Sequence, residues 1–263
     1  MLGNKEIFES DGVVVYYRSH DGLQKPEETI LRLLQPVLAN GRVLDIGVGG
    51  GRTTKFLSAS AREYVGIDYS TNMIAACRER FQVAQHIQFL VCDARDMRVF
   101  MDHFFDVVVF SFNGLDNVEH EDRLRVLREI RRVLRLGGFF VFSSFNLQSA
   151  SRLFRRFPIW PLWPPWSWVL EPARNAKRRA LNPRWCKLLS RDYAILNDGT
   201  HRSRLRTYYV NPRYQIQQLH DAGFDNVRFF SLKNGTEIGS IEQLENNRDP
   251  YLYFLCEAAG SKS

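Results

Sequence analysis

Arg42-Val43-Leu44-Asp45-Ile46-Gly47-Val48-Gly49-Gly50-Gly51-Arg52 reads as a strand, a glycine turn and the opening of a helix. Apolar residues flank Asp45, as expected for a parallel strand covered on both faces. Four glycines follow where the chain has to turn within contact distance of a ligand. A nucleotide-like cofactor fits that arrangement.

The spacing narrows the choice. A dinucleotide loop runs G-x-G-x-x-G and would need a third glycine at position 52, where this chain has Arg52 followed by Thr53 and Thr54. It has instead Asp45-x-Gly47-x-Gly49-x-Gly51, with an acidic strand end and no Lys-Ser/Thr pair for a phosphate. Such a loop suits a cationic adenosine ligand that carries no phosphate. On these residues the sequence resembles the class I S-adenosylmethionine-dependent methyltransferases. The resemblance implies S-adenosyl-L-methionine as cofactor. It also implies a three-layer α/β/α sandwich with a seven-stranded, mostly parallel sheet whose last strand runs antiparallel.

Downstream, Tyr64-Val65-Gly66-Ile67-Asp68 is a second strand ending in an acid 19 residues beyond Gly49, a spacing at which a carboxylate accepts from ribose hydroxyls. Ser70 to Ile74 opens a helix, on which Met73, by the resemblance, packs against adenine. Ile87 to Val91 is a third strand. By the resemblance, Asp93 after it would accept from the adenine amino group and Ala94 would offer a backbone contact. Phe105 to Phe112 is a fourth, almost wholly apolar strand. The loop Asn113-Gly114-Leu115-Asp116-Asn117 behind it falls at the carboxyl ends of the strands, beside the transferred methyl group. Tyr69, Ser111 and Asn113 join Asp45, Gly47, Gly49 and Gly51 in the expected cofactor set. That loop is not Asp/Asn-Pro-Pro-Tyr/Phe, the pattern for methylating a nucleobase amine, which counts against a nucleic-acid partner.

Upstream, Val13 to His20 is apolar, aromatic and basic, and Pro26 begins an apolar-periodic helix through Ile30, Leu33, Leu34 and Val37. In similar enzymes an N-terminal segment lids the site, and Tyr17 or Arg18 would then meet the methionine carboxylate. Packing of Tyr16 and Tyr17 onto the core is the other reading. Beyond the fourth strand, Glu119 to Leu136 is a helix with Leu124, Leu127, Ile130 and Leu134 at helical spacing. Its arginines, Arg123 among them, read as a solvated face. Gly137-Gly138 stops it, and Phe139 to Phe145 is a fifth strand.

Residues 147–210 break the pattern. All five tryptophans fall there (Trp160, Trp163, Trp166, Trp168 and Trp185), and residues 151–191 hold ten Arg or Lys against one acid, a local charge of +9. The whole chain carries +7, so its basic character belongs to this insertion. It reads first as an aromatic lid over a substrate pocket, with cation–π partners for a sulfonium. Peripheral contact with an anionic membrane through 151–191 is the second reading, and a grip on RNA the third. Prolines within residues 157–172 count against one long amphipathic helix there. Tyr193 to Leu196 and Arg204 to Tyr209 then form a hairpin turning at Asn197-Asp198-Gly199, and Asn211-Pro212 opens a helix ended by Gly223. Val227 to Leu232 and Tyr251 to Glu257 are the last strands.

Four segments result: 1–40, an N-terminal lid or helical segment; 41–146, the Rossmann-like cofactor-binding core; 147–210, the insertion; and 211–263, the elements completing the sheet. With 263 residues, 44% of them hydrophobic, the chain can bury a sizeable core. No leader pattern or spanning-length apolar run is present, so a cytoplasmic protein is expected. Cys77, Cys92, Cys186 and Cys256 lack metal-ligand spacing and read as buried structural thiols, with no metal site. The expected activity is methyl transfer to an oxygen or nitrogen of a small or medium-sized metabolite, such as a natural-product intermediate. A membrane-surface quinone or lipid methyltransferase comes next, then an RNA methyltransferase or a non-catalytic cofactor-binding protein. If the acceptor needs a base, His20, Asp116 and His120 are the candidates; a turn residue, a loop cap and an exposed helix-start residue are their respective structural readings.

Overall fold

The computed structural model describes residues 4–81, 85–154, 165–182 and 184–260. Helices α1 (Asn4–Phe8), α2 (Asp11–Arg18) and α3 (Lys25–Leu38) precede strand β1 (Arg42–Ile46). Alternation follows: α4 (Thr54–Ser58), β2 (Glu63–Asp68), α5 (Thr71–Arg80), β3 (Ile87–Val91), β4 (Phe105–Phe110), α6 (His120–Val133) and β5 (Leu134–Asn146). The insertion supplies α7 (Pro165–Leu181), α8 (Trp185–Leu188), β6 (Tyr193–Leu196), α9 (Thr200–Ser203) and β7 (Thr207–Val210). The chain closes with α10 (Pro212–Asp221), β8 (Phe224–Ser231), α11 (Ile241–Asn246) and β9 (Tyr251–Ala258).

Strands β3, β2, β1, β4 and β5 lie side by side and parallel, β9 runs antiparallel against β5, and β8 pairs antiparallel with β9. These seven strands are the expected sheet. Two more extend it. β7 pairs parallel with Phe145 and Asn146, past the point where β4 ends at Phe110 opposite Phe142, and β6 pairs antiparallel with β7. The predicted hairpin therefore belongs to a nine-stranded sheet rather than to a separate lid, and a helical turn, α9, is interposed between its strands.

Side chains alternate across the pleat, so each strand feeds both layers of core. Leu44, Val65, Val108, Phe140 and Phe142 pack with Val126, Leu127 and Ile130 of α6 and Leu219 of α10. On the other face Val43, Tyr64, Val107, Val109 and Val141 meet Ile30 and Leu34 of α3, Leu57 of α4 and Ile74 of α5. Local sequence signals set the helix starts. Gln24 and Glu27 form a capping box on α3, Ser70 accepts from the Met73 amide, and Asn211 accepts from the Arg213 amide ahead of Pro212.

Three expectations need correction. α6 ends at Val133, four residues before Gly137; Leu134 is already extended, and a register shift between Phe105 and Val107 absorbs the lead-in of β5. Arg123 is not on a solvated face but fully buried. The last part of the proline stretch is helical, since α7 starts at Pro165 and runs on through position 172, while residues 157–164 lie outside the described residues. Pro165 occupies its first position, where no intrahelical N–H is needed. Trp160 and Trp163, and the side chains of Trp166 and Trp168, lie outside the described residues. Trp185 stacks on Phe154, with ring centroids 4.9 Å apart, against a small core of Leu147, Ala150, Ala194 and Leu196. It packs the insertion and lines no part of the cofactor cleft described below. No helix among the described residues is long and apolar enough to cross a membrane.

Candidate active site

A cleft opens where the carboxyl ends of β1, β2, β3 and β4 meet the N-terminal helices. Its floor is the loop after β1. Gly47 holds φ +63, and a Cβ there would stand 2.8 Å from the Phe110 ring. Gly51, at φ +78, does not line the cleft; a Cβ on it would strike Phe81 at 2.4 Å. Only glycine lets this turn lie so flat on the sheet.

Asp68, from the end of β2, is on the cleft wall. Its Oδ2 accepts from the Gly49 amide at 3.1 Å and its Oδ1 from the Ser70 amide at 2.9 Å. Each carboxylate oxygen keeps further lone-pair capacity for ribose hydroxyls. Burial pushes this carboxyl up to about 6, against the backbone amide bonds from Ser70, Gly49 and Tyr69 that favour its charge. Asp45 lies beneath the loop instead of on the cleft. Its Oδ2 accepts from Thr53 Oγ1 at 2.6 Å and Tyr64 Oη at 2.8 Å, and burial likewise raises it to about 6. It braces the turn from below.

Gly49, Tyr69, Met73, Ala94 and Ser111 line the cleft, as does Cys92. Cys77 and Cys256 are buried thiols, whereas Cys186 is exposed. Asp93 departs from expectation. Its carboxylate is clamped by Arg95, two residues on, at 2.7 and 3.0 Å, and borders a different surface depression. Arg18 also points away, paired with Glu79 at 3.1 Å. Tyr17 covers the cleft, its ring edge-on to Phe112 at 6.4 Å and tilted against Phe8 at 5.9 Å; burial lifts its hydroxyl to about 12.

The three candidate bases separate clearly. His20 lines the cleft, and its Nδ1 is 2.7 Å from the Tyr16 carbonyl oxygen. A carbonyl only accepts, so Nδ1 carries the proton and Nε2 presents a lone pair. His120 lies outside the cleft, stacked on Tyr193 at 4.1 Å and bonded to Tyr208 Oη at 2.9 Å, where partial burial lowers its basicity. Asp116 is fully buried in an ion pair with Arg123 at 2.6 Å and also accepts from Ser144 Oγ and the Phe145 amide, both at 2.7 Å. It does not line the cleft. Asn113, expected with the cofactor, lines a second cavity rather than the cleft.

That second cavity, about 680 Å³, adjoins the first and shares Tyr17, Phe112 and Asn117 with it. Sequence reasoning passed over Phe112 and also Arg52, which stood out only as a missing glycine. Arg52 lines the cleft, but Glu27 takes up both its arms at 2.6 Å, so it is not free for a phosphate. A flat glycine turn, an acid at the second strand end and no available phosphate partner among the described lining residues fit S-adenosyl-L-methionine. Gly47, Gly49, Asp68, Met73 and Ala94 would hold it.

Comparison with known proteins agrees. A family profile described as a methyltransferase domain matches residues 44–142. The chain is 38% identical over 115 residues to the demethylmenaquinone methyltransferase of Clavibacter sepedonicus, covering 44% of this chain and 45% of that one, so the match spans less than half of that relative. Over 202 residues it is 26% identical to a ubiquinone/menaquinone biosynthesis C-methyltransferase of Coxiella burnetii, covering 74% of this chain and 70% of the relative. In fold it resembles an S-adenosylmethionine-dependent methyltransferase from Mesorhizobium loti, with a TM-score of 0.61 and 19% identity over 88% of this chain and 97% of that one. The matched segment holds the glycine turn and Asp68: the chain carries a class I S-adenosylmethionine-dependent methyltransferase domain.

Proposed function

We propose that the second cavity is the acceptor site and that the enzyme methylates an oxygen or nitrogen of a small or medium-sized metabolite with an apolar body. The observation that carries this reading is that the two cavities are neighbours, with Tyr17, Phe112 and Asn117 in the walls of both. Val13, Phe112, Phe145, Leu205 and Tyr251 give the second one a mostly apolar wall of the kind that holds a small molecule. The bound cofactor supplies a methyl group on a positive sulfur, open to in-line displacement. The protein's part is to fix the two reactants, and alignment of this kind supplies much of the acceleration. Phe8, Tyr17 and Phe112 exclude water from the seam. For a hydroxyl or ammonium acceptor, His20 Nε2 takes the proton, a contribution of roughly 10²–10⁴-fold.

A second reading is carbon methylation of a quinone at a membrane surface, which the names of the Clavibacter and Coxiella relatives favour. The basic segment 151–191 would then make the peripheral contact. Transfer of labelled methyl into a cell extract, followed by separation into small-molecule, lipid, RNA and protein fractions, tests both. Label in the small-molecule fraction supports the first reading. Label in lipid alone, with liposome binding lost on deletion of residues 157–170, supports the second, and label confined to RNA or protein overturns both.

A further inference from the structure

Tyr17, Phe112 and Asn117 stand in the walls of both cavities and so mark the junction where an acceptor in the second would meet the methyl group in the first. Asn117 brings a side-chain amide to that junction. Its Nδ2 donates to the Asn113 carbonyl at 3.3 Å and to the Gly114 carbonyl at 3.5 Å. A carbonyl only accepts, so the nitrogen has to face this turn, and Oδ1 is the opposite end of the amide. The turn itself is held firmly. Phe112 and Asn113 both have left-handed backbone, with φ of 54° and 59°, the Asn113 amide donates to Ser143 Oγ at 2.8 Å, and a Cβ on Gly114 would overlap the Phe110 ring. Asn117 is half-buried, whereas Asp116 beside it is sealed in the core.

The cleft wall at this point carries two hydrogen-bond acceptors, Asn117 Oδ1 and the Nε2 lone pair of His20. A hydroxyl has one hydrogen to offer them. A primary amine has two and still keeps a lone pair for the methyl group. The rings of Tyr17 and Phe112 at the same junction suit the positive charge that arrives on the nucleophile.

We propose that Asn117 orients the acceptor and that the acceptor atom is the nitrogen of a neutral primary amine on an apolar ring. This inference rests on reading the second cavity as the acceptor site. The nitrogen lone pair forms the bond to the methyl carbon as the carbon–sulfur bond breaks and leaves its electron pair on sulfur. Positive charge moves to nitrogen, so the N–H held by Asn117 Oδ1 becomes a stronger donor and its bond tightens in the transition state more than in the ground state. The secondary ammonium so formed gives one proton to His20 Nε2.

Ligand-observed NMR titration of the full chain loaded with S-adenosylhomocysteine tests the assignment, with three bicycles of nearly equal size as probes: indane, 5-hydroxyindane and 5-aminoindane, the last uncharged at pH 7.5. The amine should bind about tenfold more tightly than indane and more tightly than the hydroxyl compound. Asn117→Ala should erase most of the preference for the amine over indane. Asn117→Asp should keep it, since it retains an acceptor oxygen at the junction while losing the Nδ2 bonds to the turn. Both variants should bind S-adenosylhomocysteine within about twofold of wild type. Equal loss of the preference in the two variants would mean that the amide only braces its own turn, and a preference untouched by Asn117→Ala would place the amine elsewhere; either result overturns the role of Asn117. Binding of 5-hydroxyindane as tight as that of the amine overturns the amine assignment. In all three cases the acceptor-site reading stands. Failure of every bicycle to bind, or displacement of S-adenosylhomocysteine by them, overturns that reading together with the proposal.

Discussion

The two terminal nitrogens of Arg52 each lie 2.6 Å from a carboxylate oxygen of Glu27, a two-armed ion pair that ties the glycine loop to the first turn of α3. Glu27 also accepts from Tyr253 Oη on β9 and from the Gln24 amide, both at 2.7 Å, and Arg52 reaches Ser111 Oγ beyond β4 at 3.1 Å. One buried pair thus couples the cofactor loop, the N-terminal helices and the far side of the sheet.

Removing one member leaves a buried charge uncompensated, which costs about 3–5 kcal/mol. Glu27→Ala should therefore lower the unfolding free energy by that amount in a denaturant titration, and should weaken S-adenosylhomocysteine binding because the loop loses its clamp. Unchanged stability would show that Arg52 finds solvent or another partner easily.

The Asp116–Arg123 pair is expected to behave differently in catalysis. Asp116→Ala should destabilise by a similar 3–5 kcal/mol, since Arg123 is wholly buried. The pH dependence of methyl transfer by the folded fraction should not move. Loss of a kinetic pKa in that variant, with stability unchanged, would return Asp116 to the role of base.

Those two pairs also show what could be read in advance. The glycine turn, the second strand ending in Asp68 and the helix starts were legible because they depend on local rules of strand period, turn conformation and capping. Arg123 was not, because helical periodicity sorts residues by polarity and cannot foresee a charge matched by Asp116, Ser144 and Gln215 from three other segments. The placement of the Asp93 carboxylate was hidden for a related reason. Position after a strand announced an acid near the cofactor, while the guanidinium of Arg95 turned its carboxylate elsewhere. The hairpin of β6 and β7 was visible as a hairpin. Its joining the main sheet was not, because the free edge of β5 at Phe145 exists only once β4 has ended.

His20→Gln should lower kcat by roughly 10²–10⁴-fold for a hydroxyl or ammonium acceptor, with the dissociation constant for S-adenosylhomocysteine within about twofold of wild type. Glutamine keeps a donor near the Tyr16 carbonyl but supplies no basic lone pair. Stopped-flow methyl transfer together with calorimetry separates the two quantities, and equal losses in both would make His20 part of the lid alone.

Binding of the cofactor product should depend on pH through Asp68. Burial holds this carboxyl at about 6 in the free protein, and ribose hydroxyls donate to its ionised form, so binding pulls its pKa down. The sign follows from linkage: affinity is full above about pH 7, where the group is ionised with or without ligand, and falls as pH drops through 6, approaching tenfold per unit. His20 also lines the cleft, so the pH series should be run in the His20→Gln protein as well as in wild type. Asp68→Ala should weaken binding by about 1.5–3 kcal/mol at pH 7.5 and flatten the profile, because the only cleft acid with a raised pKa among the described residues is gone. A profile that keeps its slope in Asp68→Ala would assign the titration to another group and remove Asp68 from the ribose site.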